Sequence, residues 1–194
     1  MKTGELELYR LFKARYEELA GRVHLAEDRA AAVALALDVV QSARVTRAVL
    51  GRGLDWLAEG LQGLGEGGPA LVTPGGSAAE ILRQVDSAEL GFSVARFAIA
   101  FTGTIVEVTT DDRERLVSSM PRIHVAFLPA AEIIEQLDDA ASRLRQIYRT
   151  HPRGCNITFI SGPSRTADVE MKLVLGVHGP QESHVIVCDW EMVG

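Results

Sequence analysis

Residues 161–180 read Ser-Gly-Pro-Ser-Arg-Thr-Ala-Asp-Val-Glu-Met-Lys-Leu-Val-Leu-Gly-Val-His-Gly-Pro, and nowhere else do hydroxyls, a guanidinium, a carboxylate, an imidazole and backbone-bending residues crowd so closely. Arg165 offers a planar fork of N–H donors, the geometry that recognises a carboxylate or a phosphate. Ser161 and Ser164 add hydroxyls that donate or accept as needed. His178, between Gly176 and Gly179, can take or give a proton near neutral pH, and Asp168 is the other acid or base candidate. If residues 167–175 are helical, Thr166 caps the helix, Asp168 and Glu170 fall in its first turn, and its free N–H groups join Arg165 in an anion cradle. Met171, Leu173, Leu175 and Val177 also alternate as a strand would, so both readings stand. A plainer account has Ser164, Thr166 and Asp168 satisfying the loop's own backbone while Arg165 pairs with Asp168 or Glu170.

A second hydroxyl-rich turn, Thr102-Gly103-Thr104, lies between two strand-like runs. Gly103 would let the backbone come close to a ligand, although a simple hairpin turn explains the same residues. His124 and His184 stand beside strands, where a lone histidine is usually a hydrogen-bonded structural group. No His, Cys and carboxylate spacing resembles a closed metal site, and two cysteines are too few for an iron–sulfur cluster. The sequence therefore assigns this chain no metal and no cofactor. It also lacks Gly-x-Gly-x-x-Gly, a Walker loop and a Gly-x-Ser-x-Gly elbow, which argues against a nucleotide-driven or triad hydrolase.

These residues need a scaffold, and 194 residues suffice for one domain with a proper core. The excess of acidic over basic side chains, a net charge of -6, argues against a nucleic-acid partner or an anionic membrane surface. No apolar run is long enough for membrane insertion, and acids stand where a signal peptide would have its apolar centre. With two cysteines in no framework spacing, a reduced cytoplasmic protein is expected.

Apolar residues at helical spacing predict helices over 5–19, 26–40 and 52–64. The Gly- and Pro-rich stretch 64–69 then separates an N-terminal helical section, 1–66, from an α/β body, 67–194, the two making one domain. In the body, strands are expected at 70–73, 105–109, 124–128, 156–160 and 185–188. Ser77 with Glu80 forms a capping box for a helix over 78–85, and 113–119 makes a short helix. Pro129 opens a helix whose apolar stripe holds Ile133, Ile134, Leu137, Leu144 and Ile147. Short apolar strands alternating with helices predict a mostly parallel central sheet with helices on both faces. Ligands of such sheets bind beyond the carboxyl ends of the strands, and Ser161 follows one such end.

The motifs Ile160-Ser-Gly-Pro-Ser-Arg-Thr-Ala-Asp-Val-Glu170, Leu175-Gly-Val-His-Gly-Pro180, Phe97-Ala-Ile-Ala-Phe-Thr-Gly-Thr104 and Pro121-Arg-Ile-His-Val125 resemble the LUD-domain family, the lactate-utilization proteins of the LutC type. The resemblance covers roughly residues 70–190 and is close in the first motif. It implies a fold similar to the sugar-phosphate isomerases and CoA-transferases, with the N-terminal helices added. It further implies an accessory component of bacterial L-lactate oxidation to pyruvate, working beside other lactate-utilization subunits that carry the iron–sulfur clusters. Carried over to this chain, the family motifs single out Thr102, Gly103, Thr104, Ser161, Ser164 and Arg165 for a small carboxylate or phosphate ligand, with Asp168 and His178 as candidate catalytic groups. Where the family has Ala-Glu-Thr-Gly-Thr, this chain has Phe101 in place of the carboxylate, which suits an accessory role. The alternative is an independent transferase- or ligase-type enzyme on a phosphorylated, acyl-CoA or folate-like substrate. A homo-oligomer is left open.

Overall fold

The structure, a computed structural model, describes residues 1–63, 68–167, 173–175, 178–190 and 192. A six-stranded, all-parallel sheet runs in the order β1 (Arg22–Ala26), β12 (Glu182–Cys188), β7 (Ile123–Pro129), β4 (Leu90–Val94), β2 (Arg47–Leu50) and β3 (Ala70–Val72). Side chains alternate between its faces, and both faces are covered. Ile123, Val125 and Phe127 pack with Leu90, Phe92 and Ile186 against α2 (Arg29–Ser42) and α3 (Asp55–Gln62). Ala126, Leu128, Val185 and Val187 point the other way, toward Phe12 and Tyr16 of α1 (Thr3–Glu18).

That second face also meets a smaller sheet in the order β8 (Ile133–Ile134), β5 (Phe97–Ile99), β6 (Thr104–Thr109) and β9 (Asn156–Ile160), in which β5–β6 and β6–β9 are antiparallel. Ile105 of β6 joins the core between the sheets. Val106 joins Phe97 and Ile99 under α6 (Leu137–Thr150), through Ala140 and Ile147. At the other flank α4 (Ala78–Asp86) and α5 (Asp112–Ser119) close over Val49 through Ile81, Val85 and Val117. Gly91 makes the last contact feasible, since a Cβ there would lie 1.9 Å from the Val117 carbonyl oxygen. Among the described residues no helix is long and apolar enough to cross a membrane.

The parallel sheet with helices on both faces is as the sequence implies. So is the start of α4, where Glu80 accepts from the Ser77 amide at 2.8 Å. Four readings change. The first 66 residues are not helices alone, because β1 and β2 are strands of the central sheet. At five and four residues, these strands are too short to stand out beside the helical periodicity around them; α2 starts later than expected, where the Asp28 carboxylate accepts from Ala31 N–H at 2.7 Å. Pro129 opens only a single 3₁₀ turn (Ala130–Glu132), after which Ile133 and Ile134 extend into β8. The helix begins at Leu137, behind a Gln136–Asp139 capping box. Finally, the smaller, mixed sheet has no counterpart in the expected architecture.

Candidate functional site

The two hydroxyl-rich turns meet. Antiparallel pairing sets Ile105 opposite Ile160, so Thr104 and Ser161 leave the sheet together, and their hydroxyls lie 2.8 Å apart. Thr102 Oγ1 donates to Thr104 Oγ1 at 2.8 Å, extending the chain of hydroxyls. Gly103 closes the hairpin turn with φ +60°, and a Cβ there would come within 2.6 Å of the Arg15 backbone, so the turn rests directly on α1. The 161–164 loop is then tied to the 178–180 loop, where Ser164 N–H donates to the Pro180 carbonyl at 2.8 Å.

Beyond Ser164 the chain forms a hairpin, β10 (Arg165–Ala167) antiparallel to β11 (Leu173–Leu175), so alternation wins over the helical reading. The anion cradle at a helix start, with Thr166 as its cap, goes with it. Arg165 is exposed at the head of β10, and Asp168 lies outside the described residues.

Ser161 and Ser164 line a cavity of about 310 Å³ together with His178, His124, Ser183 and, from α5, Arg115. Thr102, Gly103, Thr104 and Arg165 are not among its lining residues, so Thr104 reaches the cavity through Ser161. The position differs from the expected one. Ser161 ends a strand of the smaller sheet, and the cavity sits at the amino ends of β7 and β12, where His124 and Ser183 stand in register. The crevice beyond the carboxyl ends is a separate space of about 680 Å³, bordered by Arg52, Arg96, Thr109 and Trp190.

Behind the cavity, between the sheets, lies a buried polar network. Glu107 of β6, 2% exposed, faces the parallel sheet beside Ile105. Ser93 Oγ donates to its carboxylate at 2.5 Å, His124 Nε2 lies 3.2 Å from it, and Ser93 Oγ is 2.7 Å from the same imidazole nitrogen. Ser118 of α5 completes the set. Burial pushes the Glu107 carboxyl up, but hydrogen bonds from His124, Ser118 and Ser93, with the His124 charge, outweigh it and hold the group below the usual carboxylate range. Next to this network, the Tyr16 hydroxyl is 2.6 Å from Ser183 Oγ and accepts from the Gly162 amide. Burial raises the Tyr16 phenol well above its ordinary value, so it remains protonated. The Nδ1 atom of His124 is buried with no hydrogen-bond partner among the described residues.

Sequence reasoning passed over Ser93, Glu107, Tyr16, Ser118 and Ser183. For Glu107 a signal existed: a lone carboxylate in Ile-Val-Glu-Val, alternating with Ile105, has to be buried and paired if both strand faces are covered.

Compared with protein families, residues 9–188 match the LUD domain. The chain belongs to the LUD domain family. Its relatives bear out the LutC-type resemblance of the motifs. Lactate utilization protein C of Shouchella clausii is 35% identical over 108 residues, 56% of this chain and 47% of the relative. The protein of that name from an Exiguobacterium species is 39% identical over 106 residues, 53% of this chain and 45% of the relative. That of Bacillus subtilis is 33% identical over 128 residues, 64% and 52% of the two chains. The LUD chain described here thus spans about half the length of the curated relatives it matches. A solved DUF162 family protein from Deinococcus radiodurans superposes with a TM-score of 0.66 over 95% of this chain and 98% of its own, at 24% identity, a likeness of fold.

Proposed function

We propose that this LUD chain is an accessory component of a bacterial L-lactate utilization system and holds a small carboxylate or phosphate in the cavity at the amino ends of β7 and β12. The observation that carries this reading is the convergence of the family motifs there, with Ser161, Ser164 and His178 on one wall and Arg115 on another. Serine hydroxyls and a guanidinium are the groups that hold a small anion. Arg165, exposed one residue beyond Ser164 and outside the cavity's lining, is the motif's own cation and would act at the cavity's edge. Partner subunits of the same system dock on this chain and carry any iron–sulfur clusters.

Calorimetric titration with L-lactate, pyruvate and inorganic phosphate tests the ligand. Affinity for at least one of them is expected, weakened about tenfold or more by Arg115→Gln or Arg165→Ala, as for a lost charge-assisted hydrogen bond. Neither substitution changing affinity would remove the anion site. Deletion of the gene in its host tests the pathway, and undiminished growth on L-lactate would refute it. A second reading, an independent transferase or ligase, is favoured by the buried Glu107–His124 contact, since such pairs serve proton transfer. Turnover of sugar phosphates, acyl-CoA or folates by the purified chain would decide for it.

A further inference from the structure

The geometry points to a second binding site, in the crevice beyond the carboxyl ends of the parallel strands, for an organic phosphate or carboxylate whose anionic head meets Arg96 and whose apolar body is larger than a three-carbon chain. It stands beside the small-anion cavity at the amino ends, takes a different ligand, and does not depend on that reading.

The backbone opens this crevice. β2 and β4 are neighbours in the sheet, yet the chain leaves them toward opposite faces. After β2 it passes Gly51 and Arg52 into α3, on the face that holds Leu90 and Phe92. After β4 it passes Ala95 and Arg96 into β5, and so into the smaller sheet on the other face. Neighbouring connections that part in this way leave a gap at the strand ends, the place where open α/β sheets take their ligands. Here the gap holds about 680 Å³. A further cavity of about 670 Å³ continues from it, sharing Arg96, Val108, Glu132 and His151, so Arg96 stands where the two join. Spaces of that size house ligands well beyond three carbons.

The charges on the wall select the head. Its four described carboxylates, Glu5, Glu114, Glu132 and Asp189, are already answered. Arg52 lies 2.7 Å from Glu114, Arg143 pairs with Glu132, and the Met1 ammonium is 2.5 Å from Asp189. Glu5 accepts from the Lys2 amide at 2.7 Å in the first turn of α1, where the helix dipole favours a negative charge. Arg96 is exposed, and among the described residues its guanidinium has no ion-pair or hydrogen-bond partner. It is the cation left to meet an anion, with a fork of donors that fits phosphate and carboxylate oxygens alike. The rest of the wall suits a body without charge, with Val94, Val108, Ala130 and Trp190 among its apolar members.

Both tryptophans of the chain, Trp56 and Trp190, lie at this end with their rings 6.0 Å apart, so their emission reports on the crevice and not on the cavity at the amino ends. Phenyl phosphate and benzoate each join an anionic head to an apolar body; inorganic phosphate and phenol are the separate halves. Titrated into the purified chain, with excitation beyond the absorption of the phenyl ring, at least one of the joined anions should give a saturable change in emission. Each half should need at least about a tenfold higher concentration. Arg96→Ala should weaken the anion about tenfold, as for a lost charge-assisted hydrogen bond, and leave phenol unchanged, while Arg96→Lys recovers part of the loss. Arg115→Gln, at the amino ends, should leave these titrations as they are. Silence from both anions, halves that bind as tightly as the whole, or undiminished affinity in the Arg96→Ala chain would each overturn the site. So would an equal loss for phenol, which would make Arg96 a packing residue, or a loss in the Arg115→Gln chain, which would place the ligand in the other cavity.

Discussion

Replacing Glu107 with alanine tests whether the network behind the cavity is a satisfied unit. In the intact chain the carboxylate receives Ser93, His124 and Ser118, and its charge survives burial only because of them. Removing it leaves these donors facing a void between two sheets. Breaking a buried hydrogen-bonded charge group from one side destabilises by about 3–5 kcal/mol. Glu107→Gln keeps the shape and one acceptor oxygen, so about 1–2 kcal/mol is expected, the worth of charge assistance alone. Against a total stability of about 5–15 kcal/mol, the alanine chain should shift its urea midpoint markedly with an unchanged slope. The glutamine chain should stay close to wild type. An alanine variant within about 1 kcal/mol of the parent would mean that the donors find other partners, and the network would not be a satisfied unit.

Three further outcomes are expected. Burial, then the neighbouring His24, lowers His184 from its ordinary value to about 4. The unfolded chain thus binds a proton that the folded one refuses; stability should be full above about pH 6.5 and fall by about 3 kcal/mol toward pH 4, a decline that His184→Asn should flatten in thermal melts. Gly103→Ala meets both the positive φ and the 2.6 Å approach to Arg15, so about 2–4 kcal/mol should be lost in chemical denaturation. Gly91→Ala drives a methyl into the Val117 carbonyl and must push back α5, which carries Arg115 and Ser118; about 3 kcal/mol of stability and much of the ligand affinity should go together, measured by melts and calorimetry on one preparation.

Much of the body was legible because its signals are local. The Ser77 capping box, the β-branched run at 105–109 and the apolar run at 124–128 each announce themselves within a few residues. What was not legible depends on pairing at a distance. β1 pairs with β12 across some 160 positions, His24 opposite Ile186, and nothing in Arg-Val-His-Leu-Ala says so. The focal stretch shows the same divide. Its residue types marked a site candidate correctly enough to place Ser161, Ser164 and His178 on one cavity wall. That the wall faces the amino ends of the strands could not be foreseen, because it follows from β9 belonging to a second sheet.

The two crevices at opposite ends of the parallel sheet differ in how their charges are held, and this difference argues for the smaller one as the site. At the carboxyl ends Arg52 pairs with Glu114 at 2.7 Å and Glu132 with Arg143, acids and bases that can largely answer each other in solvent. At the amino ends a carboxylate and an imidazole are buried between sheets, an arrangement that contributes little to stability compared with apolar residues of equal volume. The surface motifs are coupled to it by specific contacts: Thr104 to Ser161, Gly162 to Tyr16, Tyr16 to Ser183. A loop substitution such as Ser161→Ala therefore does more than remove a wall hydroxyl, because it releases Thr104 and loosens the turn on α1. Arg96→Ala, in the other crevice, touches none of these contacts and should leave ligand binding at the amino ends unchanged.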